Sequence, residues 1–276
     1  MARIGLLHPG QMGFAVGCTL KNSGHEVLWV SQGRGAQTAE RARAAGFHDA
    51  KTLDALAQRA EAIVSVCPPE FAAEVALNVA RSGFKGLYAD MNAVSPDSKK
   101  ETAQRMEASG MSFVDGGIVG LPAKERGRTW IYLSGPESAK LASLFTAGPL
   151  EVETLGGEVG KASALKMCYA AWSKGSTALI AAVIAAAGEM SVLEELKCAW
   201  SRGGPVYSKV EADIVRAAPK AWRWAGEMRE IAATLEAAGL PGGFHHAAED
   251  LYTRLRSLKD SGDVQMNEVM ARLTAH

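Results

Sequence analysis

The feature that most constrains this 276-residue chain is its first connection. An apolar run, Arg3–Leu7, turns through His8-Pro9-Gly10-Gln11-Met12-Gly13 into a helical stretch with small residues at Ala15 and Gly17 and a stop at Gly24. A strand entering a helix over a glycine-spaced corner predicts a βαβ crossover and a parallel neighbour. The alternation continues, with strands expected at Val27–Val30, Ile63–Cys67, Leu87–Asp90, Phe113–Val114 and Trp130–Leu133 and Ala-rich helical stretches between them, to about residue 154. Beyond Gly156-Gly157 it stops, and the long Ala/Leu/Glu/Lys runs at 161–188 and 220–239 read as helices. The expected fold class is an α/β Rossmann-like N-terminal domain, 1–155, followed by an all-α C-terminal domain, 156–276.

The corner is an H-x-G-x-x-G sequence, with His8 at the place of the first glycine of G-x-G-x-x-G and Gly10 and Gly13 at the second and third. Gly10 would let backbone approach a pyrophosphate, Gly13 would let helix pack on strand, and the helix N-terminus supplies N–H donors and a positive dipole end. His8, Pro9, Gly10, Gln11, Met12 and Gly13 are therefore candidate cofactor contacts, as is the backbone of Cys67 and Pro68 at the end of a later strand. Glycines in strand–turn–helix corners also occur for steric reasons alone. After the second strand comes Val30-Ser31-Gln32-Gly33-Arg34, with no carboxylate before Glu40. An acid there would hold the ribose hydroxyls of NAD; Arg34 and the Ser31 hydroxyl suit a 2′-phosphate, so NADP is expected over NAD. The plainer alternative makes Arg34 a solvated loop residue.

Thirty basic residues balance thirty acidic ones, which removes the usual reason to expect nucleic acid or an anionic membrane as partner and leaves a small molecule. Four dispersed cysteines, Cys18, Cys67, Cys168 and Cys198, without a C-x-x-C pair, read as buried free thiols of a reducing compartment. The N-terminus shows no signal-peptide h-region, and the most apolar segment, 175–188, is shorter than a bilayer span, so a cytoplasmic location with 175–188 as a buried helix is expected. His245-His246 point apart on a helix and have no third ligand at suitable spacing, so no metal is expected. Trp222 and Trp224 read as cover for a core or a subunit seam, and the residues after Asp260 as a peripheral helix or tail.

Several motifs in order carry a resemblance. Ile4-Gly5-Leu6-Leu7-His8-Pro9-Gly10-Gln11-Met12-Gly13, Tyr88-Ala89-Asp90-Met91-Asn92-Ala93-Val94-Ser95-Pro96, Phe113-Val114-Asp115-Gly116-Gly117-Ile118-Val119-Gly120 and Gly157-Glu158-Val159-Gly160-Lys161-Ala162-Ser163-Ala164-Leu165-Lys166 resemble segments of the β-hydroxyacid dehydrogenase superfamily. This is the 6-phosphogluconate/3-hydroxyisobutyrate dehydrogenase group, and the chain is most similar to its branch with an uncharacterised C-terminal domain. The resemblance implies NADP-dependent interconversion of a hydroxyl and a carbonyl on a small polar, hydroxy-acid-like substrate. It implies Lys166 as the catalytic acid–base, in a helix between apolar Leu165 and Met167, with Asn92 near nicotinamide and substrate and with substrate contacts at Gly117, Gly120 and Tyr169. It also implies a homodimer through the helical domain.

The departures bear on substrate. Where the superfamily places Asn three or four residues after its lysine, this chain has Tyr169 and Ala170; Ser173 replaces the second acid of the decarboxylating branch, and Val119 replaces a substrate-binding serine. No C-terminal-domain lysine is recognisable near Gly226-Glu227. Two alternatives stay open: an imine reductase of the same architecture, and a non-catalytic NADP(H)-binding sensor.

Overall fold

In the computed structural model, which describes residues 1–123 and 125–275, the opening run is strand β1 (Arg3–Leu7) and the helix after the glycine corner is α1 (Gln11–Asn22). The chain continues through β2 (Glu26–Trp29), α2 (Ala36–Ala44), β3 (His48–Asp49), α3 (Leu53–Arg59), β4 (Ala62–Ser65), α4 (Pro69–Arg81), β5 (Leu87–Asp90) and α5 (Pro96–Ala108). It then forms β6 (Ser112–Gly120), β7 (Thr129–Ser134), α6 (Ser138–Ala142) and β8 (Glu151–Thr154). The sheet order is β3-β2-β1-β4-β5-β6-β7-β8, parallel throughout except for the antiparallel pair β6–β7. Strand residues alternate between two cores, as they must when helices cover both faces. Ile4, Leu6, Val64, Ala89 and Val114 enter one cluster, while Leu7, Ile63, Tyr88 and Phe113 enter the other.

The strand order reverses between β1 and β4, so the loops leaving these strands diverge and open a crevice at the carboxyl edge, the place where doubly wound sheets bind ligands. Register aligns that edge: Leu7 pairs with Ser65, Ser65 with Asp90, and Asp90 with Asp115.

Two compact units are present, Met1–Met167 and Cys168 to the C-terminus. The division falls inside helix α7 (Lys161–Glu189), beyond the Gly156-Gly157 pair. The second unit is helical, with α8 (Leu193–Ser201), α9 (Tyr207–Ala217), α10 (Trp224–Ala237), α11 (Gly243–Arg254) and α12 (Met266–Thr274). Its interior holds Met228, Ile231, Tyr252 and Leu255, with Trp224 edge-on to Tyr252 at 5.2 Å. Lys174 pairs with Glu227, and the Tyr252 hydroxyl donates to the Lys174 carbonyl at 2.6 Å.

The expected fold class is the observed one, with differences in detail. Strands β3 and β8 were not anticipated, and Phe113–Val114 is the start of a nine-residue strand that turns back antiparallel. Segment 175–188 is not a short, fully buried helix. It belongs to a 29-residue helix long and apolar enough, by length and composition, to cross a membrane, and only 39% of its most apolar window is buried. Ala178, Ala181 and Ile184 face inward whereas Leu179 and Val183 are exposed, because a helix apolar all round still has only one side against its own unit. The cysteines are free, yet Cys168 and Cys198 are exposed and Cys18 and Cys67 only partly buried, so the expectation of four buried thiols is corrected. Short apolar neighbours in sequence do not fix which side of a helix a thiol takes.

Candidate functional site

The corner after β1 shows why its glycines are where they are. A Cβ on Gly13 would stand 2.3 Å from the His8 carbonyl oxygen, a backbone atom that cannot step aside. At Gly10 the nearest atom would be 3.9 Å away, and no side chain caps the start of α1 there. The first-glycine place is taken by His8 at φ 67, a left-handed conformation that L side chains hold at a cost of about 1 kcal/mol. Arg41 of α2 braces the same loop, donating to the Pro9 carbonyl at 3.2 Å. Burial, and then the nearby Arg34 charge, lower the His8 imidazole to about 4, so the ring is neutral near pH 7, and its buried Nδ1 has no hydrogen-bond partner among the described residues.

The sign of this shift gives a test. As pH falls from about 6.5 toward 4, the unfolded chain takes up the His8 proton before the folded one, so stability falls with pH across that window. Thermal melts should show His8→Gly, which suits the positive φ, losing less stability than the native protein between pH 7 and 4.5, by about 2 kcal/mol. Parallel pH profiles would remove the assigned burial of this imidazole.

After β2, Ser31–Arg34 forms a closed turn in which the Arg34 N–H donates to the Ser31 carbonyl at 3.0 Å and Gly33 has φ 72. Strand β3 brings a carboxylate that a reading of residues 30–34 misses: Asp49 accepts from the Ser31 hydroxyl and from Lys51 N and Nζ at 2.8 and 2.7 Å. Desolvation raises the Asp49 carboxyl, but the bonds from Lys51 and Ser31 outweigh it and hold the group below its ordinary range. The turn therefore presents the exposed Arg34 beside an acid already neutralised by Lys51.

The next loops are tied by Asn92, which is buried. Its Oδ1 accepts from Cys67 N at 2.6 Å, its Nδ2 donates to Ser65 Oγ at 3.2 Å, and its N–H donates to Asp90 Oδ1 at 2.9 Å. Pro68 caps α4 from an extended conformation. Burial, followed by the Asp90 charge, pushes the Cys67 thiol up to about 12, which keeps it protonated and unreactive.

At β6 the sheet meets the first turn of α7. Asp115 Oδ2 accepts from Gly160 N at 2.9 Å, Ser163 N at 3.1 Å and Ser134 Oγ at 3.0 Å, and Oδ1 accepts from Ser163 Oγ at 2.6 Å. This carboxylate caps the helix N-terminus from a strand 45 residues away along the chain. A Cβ on Gly117 would lie 2.7 Å from the Ala162 carbonyl oxygen and 2.9 Å from Lys166 Cβ, so Gly117 is the seat on which the Lys166 turn rests. Lys166 is half-buried there.

Gly120 lies at the far end of β6, at φ 120 against the Arg128 carbonyl, and closes the hairpin to β7. Tyr169 belongs to the second unit, exposed and edge-on to Trp172 at 5.9 Å. In that unit His245 packs where Gly175 leaves room, and Trp222 stacks under Lys259 at 4.3 Å. The carboxyl edge thus gathers the 8–13 loop, the 31–34 turn, Cys67-Pro68, Asn92 and the Gly117 seat of Lys166 in the first unit. Sequence reasoning passed over Arg41, Asp49, Lys51, Asp90, Asp115 and Lys99. For Lys99 a signal existed: it shares the buried stripe of α5 with Thr102, Ala103 and Met106 at spacings of a helical face.

Residues 2–146 match the family described as the NAD binding domain of 6-phosphogluconate dehydrogenase, and residues 187–255 match a domain of unknown function, DUF1932. An uncharacterized 28.5 kDa protein of Methanothermus fervidus is 28% identical over 194 residues, 70% of this chain and 74% of that one. Among solved structures, 3-hydroxyisobutyrate dehydrogenase of Salmonella typhimurium superposes with a TM-score of 0.73 at 17% identity, over 98% of this chain and 99% of its own. A reductive aminase of Aspergillus terreus in complex with NADPH superposes at 0.58 and 15% identity, over 99% and 98%. At these identities the two structures show a shared fold.

Proposed function

The chain belongs to the family of the NAD binding domain of 6-phosphogluconate dehydrogenase, and from that premise we propose that it is an NADP-dependent oxidoreductase interconverting a hydroxyl and a carbonyl on a small polar acid. One observation carries the reading. The start of α1 is uncapped and open at Gly10, Gly13 is pressed under the His8 carbonyl, and both sit at the reversal point of a doubly wound sheet.

The residues present fit a dinucleotide. Gln11 and Met12 would offer N–H groups to its pyrophosphate, Gly10, whose own N–H donates to the His8 carbonyl, would let it approach closely, His8 Nδ1 would add a polar contact, and Pro9, Cys67 and Pro68 backbone and van der Waals surface. Arg34 would hold a 2′-phosphate, joined by the Ser31 hydroxyl once its proton turns from Asp49, a carboxylate already paired with Lys51. When bound, the nicotinamide supplies a hydride donor or acceptor. Lys166 gives a proton to the substrate oxygen as a carbonyl is reduced and takes it back as a hydroxyl is oxidised. Asn92 holds the loops on which nicotinamide and substrate would rest.

Arg34→Ala is expected to weaken NADPH binding about tenfold or more while leaving NADH nearly unchanged, as the loss of one charge-assisted contact implies. Titration of both cofactors by nicotinamide fluorescence checks this, and an unchanged ratio would return Arg34 to a solvated loop role.

A reductive aminase or imine reductase activity is the second reading, favoured by the shared fold with a reductive aminase; an amine-dependent product would select it. We further propose a homodimer in a reducing, cytoplasmic setting. Tyr169, Trp172, Leu179, Val183 and Met190 are all exposed and recur along one side of α7, continued by the turn after it, at near-heptad spacing. Sedimentation should give twice the monomer mass, reverting toward monomer in Trp172→Glu; a monomeric native protein would remove this assembly.

A further inference from the structure

Asp90 and Asp115 stand opposite each other in the β5–β6 register, with side chains 1% and 0% exposed. Residues in register on neighbouring strands point to the same face, so two carboxylates are forced into one small, dry volume where they repel. One cation lies with them. Lys99, fully buried on the second turn of α5, places Nζ 2.7 Å from Asp90 Oδ1 and 3.7 Å from Asp115 Oδ1, and also donates to the carbonyls of Asp90 and Gly116.

Each carboxylate is tied outward to a different part of the candidate site. Asp90 Oδ1 also accepts from the N–H of Asn92, whose side chain fixes Ser65 and Cys67. Asp115 accepts from Gly160 N, Ser163 N and the Ser163 hydroxyl, which set the first turn of α7, and Lys166 follows on the next turn. Replacing a buried ion cluster by well-packed apolar residues is often neutral or stabilising, so burial energy alone does not explain a lysine here. A cluster bonded at both ends restricts geometry: Asp90 Oδ1 and both Asp115 oxygens hold their own donors, while the buried Asp90 Oδ2 has no hydrogen-bond partner among the described residues.

We infer that Lys99 is a positioning residue: through Asp90 and Asp115 it locks the Asn92 loop and the first turn of α7, and hence Lys166, into one frame. This rests on the proposed function for its meaning, though not for its test.

Lys99→Met alone would strand two buried carboxylates and is expected to fold poorly. The double variant Lys99→Met/Asp90→Asn removes one charge of each sign, leaving the local sum at minus one, and Asn keeps an acceptor for Asn92 N–H. Hydrogen exchange followed by mass spectrometry on the full chain, with and without NADPH, reads the outcome. Peptides covering residues 90–95 and 160–166 should both exchange about tenfold faster or more, while the 5–14 corner keeps its native rate and its protection by NADPH. Unchanged exchange in both segments, acceleration of one alone, or equal acceleration everywhere including the corner would each overturn the inference. Failure of NADPH to protect the corner of the native protein would instead count against the dinucleotide reading, leaving the comparison of the two segments intact. In turnover assays the double variant should lose kcat with KM for NADPH held within about threefold; a parallel loss of cofactor affinity would mark a merely structural lysine.

Discussion

Replacing Lys166 by alanine is expected to lower turnover by about two to four orders of magnitude with cofactor binding intact, the range for removing a general acid–base. The position supports so large an effect: Lys166 is half-buried on a turn fixed at one end by Asp115 and underneath by Gly117. The change removes the proposed proton-transfer group without touching the 8–13 loop, so binding and chemistry should separate. Loss of absorbance at the reduced-nicotinamide band, followed against hydroxy acids, sugar acids and amine–carbonyl pairs, measures the chemistry, and thermal shift with NADPH measures the binding. A variant with full activity would end the assignment of Lys166.

Gly117→Ala should produce the second largest effect, through geometry alone. The new methyl would meet the Ala162 carbonyl oxygen at 2.7 Å and Lys166 Cβ at 2.9 Å, and the oxygen belongs to the helix backbone. The helix must shift, which we expect to cost about 1–3 kcal/mol in stability. If Lys166 transfers the proton as proposed, a displacement of about 1 Å there is expected to reduce turnover on the order of a hundredfold. Gly157→Ala is the matched control, since nothing lies within 4 Å of its would-be methyl. Denaturant melts and turnover of the two variants should differ in both quantities; near-equal behaviour would mean that the seat under Lys166 is soft.

The parts legible in the sequence are those decided locally. Glycine spacing at 10 and 13, the apolar run before it and the Ala-rich helix after it jointly specify a strand–corner–helix unit, and that unit is present with Gly13 pinned as close packing demands. Strand β3 escaped notice because two residues, His48 and Asp49, are too few to show alternation, yet they deliver the carboxylate beside Ser31. Lys99 escaped because Ser-Pro-Asp-Ser-Lys-Lys-Glu reads as a solvated helix start, and its neighbour Lys100 is indeed exposed and paired with Asp97. The stripe Lys99 shares with Thr102, Ala103 and Met106 marks the buried face, but that this face meets Asp90 and Asp115 only the assembled sheet determines. The cap that Asp115 places on α7 is long-range for the same reason.

The 31–34 turn and the Asp90–Lys99–Asp115 cluster differ in how readily they could change over time. The turn closes on its own bond from Arg34 to Ser31 and a contact from Gln32 to Lys51, and Gly33 has open space on its missing side chain. Mutations can accumulate there singly, so the proposed recognition of the cofactor's adenosine end is evolvable by single steps. The cluster is interlocked: loss of Lys99 leaves two like charges in a dry interior, and loss of either carboxylate breaks its bonds to the Asn92 loop or to α7, so a lineage crosses from it most readily by coordinated replacement. One end of this edge can drift toward a new cofactor preference while the other stays frozen around its lysine.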